Sequence, residues 1–326
     1  MALHQASGRW RLGLTLALVT AACWSTLPVA LKVMLAELDP YTLTWIRFVI
    51  ACGVMLAWLA ARDGLGGFAT LDRRRWSLLA LAGVLLIGNY VFYLLGVQHS
   101  TPGNAQLLIQ LAPLLMALGG IVVFRERYRP GQWLGLAVIV AGLLLFFRDQ
   151  SGHSSVGGHE YALGSTMVVL AAVVWAGFAL IQKQLLVRLS SPAIMLFIYL
   201  LASLLLLPLA HPAALLRLDG LGYALLAFCA LNTLVAYGAF AEALAHWEAS
   251  RVSTVLALTP LLSLAVISGV HGLFPQSVAA ESVGTIGYVG ALLVVTGSAM
   301  SALLGARKRT PQAPASTATD SVGIIR

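Results

Sequence analysis

Apolar residues run along this chain in blocks of about twenty, separated by short polar connections. About 20 mainly apolar helical residues are needed to cross roughly 30 Å of hydrocarbon. That window predicts ten spans, at about 11–35, 41–61, 75–97, 103–124, 130–147, 161–182, 192–210, 221–246, 251–271 and 283–305. Strict alternation is absent, which argues against a β-barrel. The first block is too long for a secretory signal peptide, holds Trp24 and Lys32, and has no small-residue cleavage site before the next block. The expected fold is an all-α polytopic membrane protein.

Composition supports that class. Of 326 residues, 60% are apolar and 10% charged, against roughly 45–50% and 25% in soluble domains. Mean hydropathy is +0.89. The net charge of +8 is not the mark of a nucleic-acid binder, because its distribution follows the spans. With the N-terminus in the cytoplasm, the inner connections collect Arg9, Arg11, Arg62, Arg73, Arg74, Arg75, Arg125, Arg127, Arg129, Lys183, Arg188, Arg251 and the cluster at 307–309. The outer ones keep Arg148 and Arg217, so both termini are expected in the cytoplasm of a bacterial inner membrane. Cys23, Cys52 and Cys229 sit inside apolar blocks and read as small hydrophobes, not a disulfide framework.

The chain also repeats itself. Trp24 and Lys32 match Trp175 and Lys183 at an offset of 151 residues. Tyr90, His99, Leu111 and Pro113 match Tyr237, His246, Leu258 and Pro260 at 147, and Gly135 and Gly142 match Gly290 and Gly297 at 155. The increase implies an insertion of eight residues between Leu262 and Glu281. Five spans per half place the halves in opposite orientations, an arrangement suited to alternating access. The expected organisation is an N-terminal segment at 1–10, repeats at 11–148 and 161–305 joined by a periplasmic linker at 149–160, and a disordered tail at 306–326.

Several motifs resemble the EamA type of the drug/metabolite transporter superfamily: Trp24-Ser25…Lys32, Leu43…Arg47-Phe48, Leu111-Ala112-Pro113-Leu114-Leu115, Phe124-Arg125-Glu126-Arg127 with Gln132-Trp133-Leu134-Gly135, and Asn232…Tyr237. The resemblance covers residues 11–305. It implies ten helices in two five-helix repeats and transport of small metabolites, often amino-acid export. In the second half the usual glycine–glutamate motif is altered to Ala280-Glu281-Ser282.

Candidate site residues are the polar and aromatic exceptions near mid-membrane. Trp24 and Trp175 lie away from the interfacial belt where tryptophan gathers, and can line a cavity or simply pack. Asn89 and Asn232 need hydrogen-bond partners in hydrocarbon, from a neighbouring helix or from a ligand. Asn89 and Tyr93 share a helical face, as do Gln106 and Gln110. Pro113 and Pro260 interrupt their helices at equivalent points, a pointer to a transporter's binding site. Glu242 and His246, four apart, can hold a proton or a substrate amine, or instead form an interfacial salt bridge with Arg251 or Lys183. Lys32 and Lys183 are expected to snorkel to the surfaces, and Arg47 to reach Glu37 or Asp39 at the outer edge. The glycines at 131, 135, 142, 290 and 297 are expected to permit close helix packing.

No phosphate-binding Gly-Lys-Ser/Thr segment, zinc motif or nucleophile elbow occurs, so no enzyme activity, cofactor or metal is expected. The expected function is secondary transport of small metabolites such as amino acids, in the export direction, around a midplane cavity. The partners are a small-molecule substrate and the lipid bilayer, not nucleic acid, with the protein a monomer or homodimer. The competing expectation is a membrane-embedded scaffold or sensor that binds a partner and moves nothing.

Overall fold

The computed structural model describes residues 9–62, 66–124, 128–153, 158–247, 249–275 and 283–305. The segment at 1–8, the tail from 306, the Arg125-Glu126-Arg127 motif and Ala280-Glu281-Ser282 lie outside the described residues, as does the Lys183 side chain. Twelve α-helices follow in order: α1 (Trp10–Met34), α2 (Pro40–Ala60), α3 (Arg73–His99), α4 (Pro102–Leu108), α5 (Leu111–Phe124), α6 (Pro130–His153), α7 (Gly158–Leu185), α8 (Ser191–Leu205), α9 (Gly220–His246), α10 (Ala249–Leu256), α11 (Thr259–Leu273) and α12 (Thr285–Gly305). No strand occurs among the described residues.

Nine stretches of described chain are long and apolar enough to cross a bilayer, with Pro102–Val123 and Thr254–Leu273 each counted across a break. The tenth expected span is α12, which qualifies as an apolar helix only over the shorter Thr285–Ser301. Short polar caps start many of these helices. Asp39 accepts the Tyr41 and Thr42 amides ahead of α2, Thr101 accepts the Asn104 amide at α4, and Asp219 accepts the Gly222 amide at α9. Each satisfies a first-turn N–H that lipid could not.

The breaks fall at Ile109–Gln110 and Ala257–Leu258, just before the helices that contain Pro113 and Pro260. Proline has no N–H for the carbonyl four residues back, so the α-helical ladder stops there. The Ile109 carbonyl accepts the Ala112 amide at 2.9 Å instead. The Leu256 carbonyl takes the Thr259 hydroxyl at 2.6 Å.

The main pairings are α1 with α9, α2 with α8, α3 with α7 and α6 with α12. Each joins a helix from the first half of the chain to one from the second. The α6–α12 crossing depends on glycine. A Cβ on Gly135 would lie 2.7 Å from the Gly297 carbonyl oxygen, and one on Gly142 would lie 2.6 Å from that of Gly290. Four of the five expected glycine positions therefore meet each other across one interface, and Gly131 faces Leu304 of α12. The outward faces stay apolar, as at Val122 and Leu144, which suits lipid contact. Trp10, Trp58, Trp76 and Trp133 are exposed at the helix ends nearest Arg9, Arg62, Arg73 and Arg129. Arg62 lies 4.6 Å over the Trp58 ring and Arg11 5.5 Å over Trp10.

Candidate functional site

Trp24 and Trp175, from the two halves of the chain, approach the same tyrosine. The Trp24 ring meets Tyr237 edge-on, with centroids 5.7 Å apart and planes at 70°, and tilts against Phe240 at 5.8 Å. Tyr237 in turn interacts with the side chains of Trp175 and Tyr90. Tyr90 packs on Phe48 at 4.6 Å, and Phe48 on Tyr199 at 5.5 Å. Helices α1, α2, α3, α7, α8 and α9 thus contribute to one aromatic cluster. In the sequence Tyr90 was visible only as a repeat match, and Tyr237 as a repeat match and part of the Asn232…Tyr237 motif.

Arg47 lies within this cluster, contrary to the expectation that it would reach Glu37 or Asp39. It starts seven residues along α2, about 10 Å from the helix start, and is only 2% exposed. Its Nε and Nη2 both donate to Thr233 Oγ1 on α9, at 3.3 and 3.0 Å. Thr233 spends its own proton on the Cys229 carbonyl at 3.0 Å, leaving its lone pairs for the guanidinium. The Tyr90 ring lies 5.2 Å from the guanidinium carbon. Nη1 is buried and has no hydrogen-bond partner among the described residues. Asp39, the expected partner, is occupied as the cap of α2. Arginine cannot shed its proton, and an uncompensated buried charge costs about several kcal/mol.

The other predicted residues divide into cross-links and open groups. Asn89 donates from α3 to the Ala171 carbonyl on α7 at 2.9 Å. Asn232 donates from α9 to the Cys23 carbonyl on α1 at 2.7 Å, but its buried Oδ1 has no partner among the described residues. Tyr93 donates to Gln106 Oε1 at 3.1 Å, joining α3 to α4. Gln110 is half-buried at the break between α4 and α5. Lys32 is half-buried and runs toward the end of α3, where its Nζ donates to the Val97, Gln98 and Ser100 carbonyls at 2.7–2.9 Å. Glu242 and His246 pair at 3.0 Å at the end of α9, with the Glu242 side chain 61% exposed. Sequence reasoning missed a further buried network, in which Asn104 donates to Ser165 at 3.0 Å and accepts from Tyr161 at 2.8 Å, tying α4 to α7.

No group of three metal-ligating side chains occurs among the described residues. What meets inside the bundle is an aromatic wall and the buried Arg47 cation, a set that can stack on a small molecule and hydrogen-bond it. The class defined by fold and interior is a polytopic membrane transporter. The EamA-like transporter family matches residues 11–148 and 162–303. The chain belongs to that family. An inner membrane transporter of Escherichia coli, YhbE, is 36% identical over 293 residues, covering 90% of this chain and 91% of its own. A transporter of Haemophilus influenzae is 34% identical, covering 90% and 95%. A probable amino-acid metabolite efflux pump of Salmonella typhimurium is 26% identical, covering 86% and 92%. One protein of known crystal structure shares the fold at 19% identity, with a TM-score of 0.62 over 92% of this chain and 98% of its own.

Proposed function

We propose that this EamA-family transporter exports small metabolites such as amino acids by alternating access around the aromatic cluster. The observation that carries the reading is the convergence of Trp24, Trp175 and Tyr90 on Tyr237. Trp24 and Trp175, like Tyr90 and Tyr237, are matched positions in the two halves. Matched residues meeting at one place support a site on the axis between two inverted five-helix units, at 11–148 and 161–305, with α12 as the tenth span. Halves that exchange conformations about such a site would open it to either face in turn. The Arg-rich, Trp-lined helix ends favour an inner position for that side, and with it cytoplasmic termini. The name of the Salmonella relative supports the substrate class and direction. Trp24, Asn89, Tyr93, Gln106, Gln110, Trp175 and Asn232 are the proposed substrate-facing set.

The test is counterflow in proteoliposomes with the twenty L-amino acids and a panel of small metabolites. Saturable accumulation of at least one is expected. Flux of none would sink the transport reading in favour of a scaffold or sensor.

A further inference from the structure

Only two buried side-chain polar atoms are without hydrogen-bond partners among the described residues: Arg47 Nη1 and Asn232 Oδ1. They are opposite in kind, one a charged donor and the other a neutral acceptor. They also belong to adjoining contacts. Arg47 donates to Thr233, and Asn232 is the preceding residue on α9. Tyr90, Tyr93, Tyr199 and Tyr237 all lie within electrostatic reach of the Arg47 charge, which places the guanidinium beside the aromatic cluster.

Building on the transporter reading above, we infer that Arg47 is the docking group for the carboxylate of the transported substrate. A guanidinium offers five N–H donors in a planar fork that matches two carboxylate oxygens. Here one edge of the fork leans on a single hydroxyl, Thr233 Oγ1, and the remaining nitrogen has no partner among the described residues. A carboxylate would take the unused Nη1, or displace Thr233 from the Nε–Nη2 edge, and would bring a negative charge to the guanidinium. Asn232 Oδ1, an acceptor one residue along the same helix, suits the ammonium of an amino acid. Lys32 is held by three carbonyls at the end of α3. One guanidinium at the cluster thus fits a monocarboxylate, not a doubly charged phosphate ester. Thr233 is the resting-state partner, and movement of α9 against α2 would expose or bury the fork.

The rival role for Arg47 is a purely structural strut between α2 and α9. The two are separated by asking whether Arg47 discriminates ligands or merely supports the fold. Each of the twenty L-amino acids is tested for counterflow by the full-length protein in proteoliposomes, and each one carried is then competed with its carboxamide. The carboxamide keeps the ammonium and side chain but removes the anion. Wild-type protein is expected to take the carboxamide at least tenfold less well. Arg47→Gln is expected to abolish that discrimination, and Arg47→Lys, with the charge but no fork, to retain part of it. Equal competition by amino acid and carboxamide in the wild type overturns the assignment while leaving transport intact. If no amino acid is carried, the substrate reading and this inference fall together. Thr233→Ala provides the check should Arg47→Gln not fold. Removing the competing hydroxyl is expected to lower the KM for the amino acid several-fold with little change for the carboxamide. An equal loss for both ligands would assign Arg47 and Thr233 to the scaffold.

Discussion

The Trp24 indole stands edge-on to the Tyr237 ring at 5.7 Å, so a residue of the first span contacts a residue of α9 inside the bundle. Such edge-to-face pairs contribute about 0.5–1.5 kcal/mol beyond the area they bury. A double-mutant cycle of Trp24→Leu and Tyr237→Leu, read by denaturant unfolding in detergent, is therefore expected to give a coupling of about 1 kcal/mol. For transport, Trp24→Ala should raise the KM of a carried amino acid about tenfold, whereas Trp24→Phe keeps a stacking face and should stay within about threefold. Additive unfolding energies with an unchanged KM would move the substrate site away from Trp24.

Glycine substitution should divide by location. At Gly135 and Gly142 a Cβ would press on backbone atoms of α12, which cannot turn aside as a side-chain tip can. Gly135→Ala and Gly142→Ala are each expected to lower stability by about 1–3 kcal/mol. Gly53 on α2 is exposed, and a Cβ there would meet nothing within 4 Å. Gly53→Ala should gain about 0.5–1 kcal/mol from lower backbone entropy in the unfolded chain. Thermal melts of the three variants in one detergent check the opposite signs.

These glycines also show which parts of the fold were legible beforehand. Small residues at helical spacing announce a close helix contact, and the only missing fact was that α6 and α12 supply both faces. Nine of the ten expected spans were legible because crossing hydrocarbon demands a long apolar stretch. The breaks were legible from Pro113 and Pro260, although they fall before each proline, where the missing N–H frees a carbonyl. Arg47 was misread for a different reason. Seven residues from Pro40, it could turn back toward Asp39 or inward toward α9, and only the packing of α2 on α9 decides between them. Asn89 and Asn232 carried the need for a partner in their chemistry, but whether a helix or a ligand supplies it depends on which helices cross. For Asn232 a helix supplies only half of it: its Nδ2 is bonded, and its Oδ1 has no partner among the described residues.

Gln106 and Gln110 share a helical face but are expected to respond differently. Gln106 is buried and accepts the Tyr93 hydroxyl, so Gln106→Leu leaves a half-buried donor without its partner and should cost about 1 kcal/mol of stability. Gln110 is half-buried at the break. Gln110→Ala should leave the melting temperature within about a degree or two while weakening amino-acid binding. A binding isotherm beside each melt separates the two. Unchanged affinity in Gln110→Ala would remove it from the site.

Asp39 supplies a pH dependence of known sign. Burial pushes its carboxyl upward, but the Thr42 hydroxyl, the Thr42 and Tyr41 amides and His211 stabilise the charged form, and the net shift is downward. A depressed folded-state pKa adds stability above the unfolded value of about 3.9. That contribution is lost as pH falls through the folded pKa. Melting temperatures of wild type should therefore decline below about pH 4 more steeply than those of Asp39→Asn, which can still cap α2 but does not titrate. Parallel profiles would mean that Asp39 has the same pKa folded and unfolded.

Glu242 decides whether protons are coupled through the acid–histidine pair near the end of α9. Its carboxylate is 61% exposed while the His246 ring is 14% exposed, and the two meet at 3.0 Å. An exposed carboxylate is hydrated and screened, so it has little means to trade a proton against substrate binding in the interior. The exposed position of Glu242 thus suits a hydrogen-bonded surface pair with His246 better than a carrier of protons or substrate amines. Glu242→Gln is expected to leave the pH profile of counterflow superimposable on that of wild type, with rates within about twofold. His246→Gln, which removes the less exposed member, is expected to behave alike if the pair is only a surface tie. A pH profile displaced by about a unit in Glu242→Gln, with folding intact, would instead make the pair a titrating element of the transport cycle.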